Sequence, residues 1–266
     1  MKVLFLGDIV GRSGREALNR HLHKINLDNE IDFTIVNGEN AAGGFGITEK
    51  ICSELYNAGA NAITTGNHLW DQKEISNYIE KDNRLLKPYN SAEGTPGVGF
   101  NIFKTEKNEK IIVINLIGNV FMKANDNPFS KIDELINKLK SENDVKFIFV
   151  DFHAEATSEK VAMGHHLNGR VTAVVGTHQH IPTADACILS DGTAYQTDAG
   201  MCGDYDSVIG MDKGPILDRF RGFETKNRFT PALGEATICG VVVESYSDGF
   251  KAKSITPIKV GGILGQ

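Results

Sequence analysis

The chain has 266 residues, of which 41% are hydrophobic and 23% charged, and it carries a net charge of −6. This balance excludes a disordered chain and supplies enough apolar surface for a large core, and no basic block marks a surface for duplex DNA. The longest apolar stretch, residues 111–121, is broken by Asn115 and Asn119 and falls short of the roughly 18 residues that a membrane span needs.

In chain order, Val3–Leu6 is a short continuous apolar run, the mark of a strand covered on both faces. Ser13 to Glu16 has capping-box spacing and precedes a helical face of Leu18, Leu22 and Ile25. Phe33–Val36 is the next expected strand. Thr48 caps a helix carrying Ile51, Leu55 and Ala58, and Gly59 ends it. Ala62–Thr64 is a brief third strand, and Asp71 to Glu74 open a helix with Ile75, Tyr78 and Ile79 inward. Val98–Phe103 and Ile111–Leu116 flank a charged turn and read as a hairpin. Ser130 is expected to cap a helix with Ile132, Leu135, Ile136 and Leu139 inward. A strand at Lys146–Val150, a helix at Ser158–Leu167 and a strand at Val171–Val175 follow, and Pro215 opens a short helix. Ala236–Glu244 and Phe250–Pro257 form a closing hairpin. Helical crossovers imply parallel strands, and the two hairpins add antiparallel ones. One α/β domain spanning residues 1–266, with two mixed sheets packed together and helices outside, satisfies both.

The N-terminal MKVLFLGD has one lysine and no small-residue cleavage site, so it reads as a strand start and not as a signal peptide. Cys52, Cys187, Cys202 and Cys239 are dispersed, with no CxxC, which is the usage of a cytoplasmic chain with reduced thiols.

The chemistry-bearing residues fall just after expected strands: Asp8, then Glu39 and Asn40, then Asn67 and His68, then His153, then His178 and His180. Ligands of α/β sheets bind outside the carboxyl ends of parallel strands, so five strand ends aim acids, amides and imidazoles at one rim. On extended backbone His178 and His180 project to the same side. The donors are nitrogen and oxygen with no thiolate, which excludes a cysteine-type structural zinc site and suits iron, manganese or zinc. Seven candidates exceed the needs of one tetrahedral ion and fit two metals sharing a carboxylate, a recurrent arrangement for phosphate-ester hydrolysis. A mononuclear zinc amidohydrolase and a noncatalytic metal-binding regulatory protein stay open at this point.

Other features read more plainly. Gly43-Gly44-x-Gly46 lacks the lysine and spacing of a P-loop and reads as a flexible loop near the rim. His21, His23, His165 and His166 are expected in or near helices, away from the metal residues. Asp198, Asp204 and Asp206 read as turn formers, and Trp70 as either a rim aromatic or core packing.

The strings GDIVG (7–11), GEN (38–40), GNHLWD (66–71), FHAEATSEK (152–160) and GTHQH (176–180) resemble the YmdB family of bacterial calcineurin-like metallophosphoesterases. TADACIL (183–189), YQTDAGM (195–201) and GDYDSVIGMD (203–212) extend the resemblance over essentially the whole chain. The usual Asp-x-His start of the wider superfamily is Asp8-Ile9-Val10 here, and Glu39 stands for the bridging aspartate. The paired His165 and His166 are a further departure, away from the metal residues. The resemblance implies a two-sheet sandwich flanked by helices. It implies that Asp8, Glu39, Asn40 and His180 hold one metal and Glu39, Asn67, His153 and His178 a second. Iron or manganese is implied first, with zinc an option. It implies that His68 faces the substrate phosphate as proton donor, with Asn40 and His68 contacting substrate. The implied reaction is attack on 2′,3′-cyclic nucleotides by a hydroxide bridging the metals, with phosphomonoesters or short RNA as rival substrates. The expected partner is thus a small phosphoester, with no duplex DNA and no membrane, and self-assembly into a homo-oligomer is expected for the family.

Overall fold

The structure, a computed structural model, describes residues 1–123, 125–139, 144–224, 229–247 and 249–265. Its strands are β1 (Lys2–Leu6), β2 (Asp8–Ile9), β3 (Phe33–Asn37), β4 (Ala62–Thr64), β5 (Phe100–Lys104), β6 (Lys110–Ile117), β7 (Val145–His153), β8 (Ala173–Thr177), β9 (Cys187–Ile188), β10 (Ala194–Gln196), β11 (Met201–Asp204), β12 (Ala236–Ser245) and β13 (Ala252–Val260). Its helices are α1 (Gly11–Asp28), α2 (Glu49–Ala58), α3 (Ile75–Tyr78), α4 (Pro128–Leu139), α5 (Thr157–His166) and α6 (Lys213–Phe220).

One sheet runs β2-β11-β12-β1-β3-β4, with β13 also on β12, and the other runs β5-β6-β7-β8-β10-β9. In the first, β1, β3 and β4 are parallel and β12 lies antiparallel to β1. In the second, β6, β7, β8 and β10 are parallel and the hairpin strand β5 is antiparallel.

Alternation along each strand builds three apolar layers. Val3 and Phe5 of β1 meet Phe147 and Phe149 of β7 between the sheets. Leu4 and Leu6 face the other way, onto Leu18, Leu22 and Ile25 of α1 and Leu55 of α2. Ile148 and Val150 of β7 likewise turn outward, onto Ile132 and Leu135 of α4 and Met163 of α5. The result is helix, sheet, sheet, helix, the arrangement expected above. No helix among the described residues is long and apolar enough to cross a membrane.

Several local expectations are corrected. Helix α1 starts at Gly11, with Val10 as an N-cap that makes no side-chain cap bond. Ser13 lies inside it, and its hydroxyl donates to the Ala232 carbonyl, so the capping-box spacing is incidental. The cap of α4 is Asn127, whose Oδ1 accepts from Phe129 and Ser130 N–H, and Pro128 holds the first helical position. Around Asp71 the chain makes a 3-10 turn, Leu69–Asp71, before the short α3. Strand β7 runs to His153 and not to Val150, and β8 lies two residues later than its apolar run. The short strands β2, β9, β10 and β11 carry too few residues to show a period.

Candidate metal centre

The site begins as the continuation of the inter-sheet core. On β7 the inward face reads Phe147, Phe149, Asp151, His153, and on β3 it reads Phe33, Ile35, Asn37. At the carboxyl ends the layer between the sheets therefore turns from phenyl rings to Asn37, Thr64, Asp151 and Thr177, all fully buried. Asp151 accepts from Asn37 Nδ2 (2.9 Å), Thr64 Oγ1 (2.5 Å) and Thr177 Oγ1 (2.7 Å). Burial pushes its carboxyl up to about 7, opposed by the Thr64 and Thr177 hydroxyls and by His153.

Above this floor the expected donors converge. Glu39, His153 and His178 form one group and Asp8, Glu39 and His180 another, with donor atoms within 4.8 Å of one another in each. Glu39 belongs to both. Asn67 joins the first group, its Oδ1 2.9 Å from His153 Nε2. Asn40 joins the second, its Oδ1 3.2 Å from His180 Nε2. His178 and His180 do not lie on extended backbone as expected. Strand β8 has ended, and both adopt left-handed φ values, +100° and +68°. Such strain in non-glycine residues collects at functional sites, and here it sends the two rings to different groups. A buried ion pair pins the turn: Asp198 Oδ2 accepts from Lys160 Nζ (2.7 Å) and from Gln179 N–H (3.0 Å). Asp198, read from sequence as a turn former, is thus the anchor of the histidine loop.

Hydrogen bonds select the nitrogen that each ring presents. Thr177 donates to Asp151, so its oxygen accepts from His153 Nδ1–H at 3.0 Å and Nε2 faces the cluster. His180 Nδ1–H donates to the Ile209 carbonyl (2.8 Å), which again leaves Nε2. His178 is reversed: its Nε2 meets Glu155 Oε2 at 3.0 Å and Nδ1 faces inward. Such partners orient metal-binding imidazoles and raise their basicity. Asn40 is set by the glycine loop, its amide donating to the Gly44 carbonyl at 2.9 Å. That loop therefore has a positioning contact besides lying at the rim.

The residues fit a pair of cations. Around His153 Nε2 stand Asn67 Oδ1 (2.9 Å), His178 Nδ1 (3.1 Å) and Glu39 Oε1 (3.2 Å), all lone-pair donors. One proton on Nε2 satisfies one of them, whereas a cation satisfies all. Ligands about 2.1 Å from one ion and at right angles stand about 3 Å apart. Among the described residues, Asp8 Oδ1 and Glu39 Oε1 are buried without a hydrogen-bond partner. Burial alone would lower the His153 pKa, yet Glu39 and Asp8 pull it up to about 9. Burial and the His153 charge push His178 down to about 3. Burial raises Asp8, while the neighbouring imidazoles hold Glu39 below its ordinary value despite burial. Acids and imidazoles forced apart in this way mark a site built around charge.

His68 stands beside these groups and in neither. Its backbone N–H donates to Glu39 Oε2 (3.1 Å), and its Nδ1 meets Asp71 Oδ2 at 2.8 Å, which leaves Nε2 for the cleft. In the 3-10 turn, residues three apart eclipse, and this brings His68 and Asp71 together. The cleft, of about 990 Å³, is lined by Glu39, Asn40, His68, Glu155, His178 and His180 and by largely apolar residues that reach α6, with Arg219 among them. Trp70 packs against the core beneath α1–α3. His166 lies away from the cleft, paired with Asp133 at 3.0 Å.

Sequence reasoning missed Asp151, Thr177, Glu155, Asp71 and Lys160. Glu155 and Lys160 lie within the 152–160 string, and Asp71 lies three residues after His68, so their positions were in view while their partners were not.

A family model described as YmdB-like protein matches residues 4–258. The chain is 47% identical over 260 residues to a Bacillus subtilis (strain 168) protein named 2′,3′-cyclic-nucleotide 2′-phosphodiesterase, covering 98% of this chain and 97% of that one. It is similar to the crystal structure of a hypothetical protein from Thermus thermophilus, with a TM-score of 0.90 and 37% identity over 99% of this chain and all of that one. A crystal structure described as a novel phosphatase from Mycoplasma pneumoniae also has a TM-score of 0.90, at 35% identity over 98% of this chain and 93% of that one.

Proposed function

Because the chain belongs to the YmdB-like protein family, we propose that it hydrolyses phosphoric diesters with two metal ions and takes 2′,3′-cyclic nucleotides, such as 2′,3′-cyclic AMP, as substrates. The observation that carries this reading is Glu39, shared by the two donor groups, with its buried Oε1 making no hydrogen bond although His153 Nε2 stands 3.2 Å away. Support for the substrate comes from the name of the Bacillus subtilis relative. Two cations bound there would neutralise charge on the phosphate oxygens and lower the pKa of water toward neutrality.

In this reading Asp8, Asn40 and His180 would hold one ion, Asn67, His153 and His178 would hold the other, and Glu39 would serve both. The mixed nitrogen and oxygen donors suit iron, manganese or zinc, and the family resemblance puts iron or manganese first. Asn40 and His68 face the substrate. Hydroxide attacks phosphorus, the bond to one ribose oxygen breaks, and His68, protonated on both nitrogens with Asp71 holding Nδ1–H, gives its Nε2 proton to that oxygen. The reading takes residues 1–266 as one domain and, from the dispersed cysteines, places the chain in the cytoplasm.

The test is elemental analysis after metal loading, followed by turnover on 2′,3′-cyclic nucleotides, linear dinucleotides, short RNA and monoesters. Two ions per chain and preference for the cyclic ester are expected. One ion or none after repeated loading overturns the reading. For His68→Ala, both ions should stay and kcat should fall by about 10²–10⁴; loss of the ions would make His68 a structural residue.

A further inference from the structure

The turn that orients His180 is built from an unsuitable residue. Val208 and Met211 exchange two backbone hydrogen bonds, each 3.0 Å, across a two-residue turn. Both central residues have positive φ, Ile209 at +47° and Gly210 at +92°. Turns of this kind select Asn, Asp or Gly at the first central position, and a β-branched residue there is an outlier. The bond to the metal-side histidine uses only the Ile209 carbonyl, so Asn or Gly would supply it with less strain. The side chain is what the strain retains, and it is half exposed and lines the cleft.

Several other side chains lining the cleft are apolar and exposed, or aromatic. Phe220 of α6 is 82% exposed and Ile181 51%, both in the lining of the same cleft. Phe45 stands edge-on to the His68 ring at 5.1 Å, and the Arg219 guanidinium lies over the Phe229 ring at 5.5 Å. Apolar side chains and flat rings in the same cleft as the donor cluster match a ligand that is anionic at one end and flat and apolar at the other.

We infer that Ile209 is a specificity-determining residue that, with Phe45 and Phe220, receives the nucleobase of the substrate. The inference rests on the cyclic-nucleotide reading above and adds where the base sits. The polar side takes the cyclic phosphate, and the wall from Ile209 to α6 takes the base. The substrate class is accordingly a base-bearing nucleotide and not a sugar phosphate or a phosphorylated protein side chain.

The experiment compares 2′,3′-cyclic AMP with ribose 2′,3′-cyclic phosphate, which lacks the base, on metal-loaded wild type, Ile209→Gly, Ile209→Asn, Ile209→Val and Phe220→Ala. Ile209→Gly and Ile209→Asn suit the turn and should melt no lower than wild type, with the same ion content. Their kcat/KM preference for the nucleotide over the baseless ester should fall about tenfold, through KM. Ile209→Val should restore most of it, and Phe220→Ala, at an exposed helix position, should lower it independently. An unchanged preference in a folded, metal-replete Ile209→Gly overturns the inference alone. Loss of ions in Ile209→Gly would make the residue structural and also overturn it. Wild type inactive on both esters would sink the hydrolase reading, and this inference with it.

Discussion

Between the sheets, Phe5 and Phe149 lie with ring centroids 4.8 Å apart, and two residues further along the same strand Asp151 is as thoroughly buried among Asn37, Thr64 and Thr177. The two halves of this layer share strands, register and dryness. They differ in whether contacts have direction. The phenyl half is held by shape and area, which tolerate exchange at constant volume. In the polar half each group is oriented by specific hydrogen-bond partners, so a change propagates along those bonds to the donor cluster.

Substitutions can break or sharpen that contrast. Phe149→Ala should cost about 3–5 kcal/mol of unfolding free energy, measured by denaturant titration, while the folded fraction keeps its ion content. Asp151→Asn should cost less stability, about 1–3 kcal/mol for imperfectly satisfied buried donors. By freeing Thr177 from its acceptor, it should also weaken metal binding about 10–100-fold in chelator competition. Equal metal affinity in both variants would erase the distinction. Glu155→Ala tests the outer edge of the polar half. Glu155 is about half exposed, so stability should hold within about 0.5 kcal/mol, and metal affinity should fall about tenfold through His178.

The smallest effect lies outside the layer. Burial would raise the Asp32 pKa, but bonds from Lys107 Nζ and the Lys2 N–H hold it below its ordinary 3.8. A depressed carboxyl contributes stability above its unfolded value and loses it as the pH falls through the folded one. Asp32→Asn should therefore cost no more than about 1 kcal/mol at pH 7 and progressively less below pH 3.8, followed as the difference in melting temperature.

What could be read from sequence follows the same divide. Apolar runs announced β1, β3 and β4, and Thr48 and Gly59 framed α2, because these signals are local. The donors from Asp8 to His180 stood out because each lies at or just past the end of an apolar strand run, even where the strand itself reaches further, as at His153. Asp151 did not, since a carboxylate in the run from Lys146 argues against a buried strand until three distant donors are known. The Lys160–Asp198 pair was hidden for the same reason: a charge is buried only beside its partner, and 38 residues separate these two. The bend of His178 and His180 out of β8 was hidden because a histidine signals left-handed backbone only weakly.

Strand β12 sits between β1 and β11, with Glu244 opposite Lys2. Strand β1 thus finds its antiparallel neighbour only once residues 236–245 have been made. While the chain is still being synthesised, one edge of β1 waits unpaired, and contacts of such long separation form slowly. Asp8 depends on that same late closure, since β2 pairs with β11 and β11 with β12. The donor cluster at that rim therefore needs strands from both ends of residues 1–260, and a fragment lacking β11 and β12 would not hold it complete.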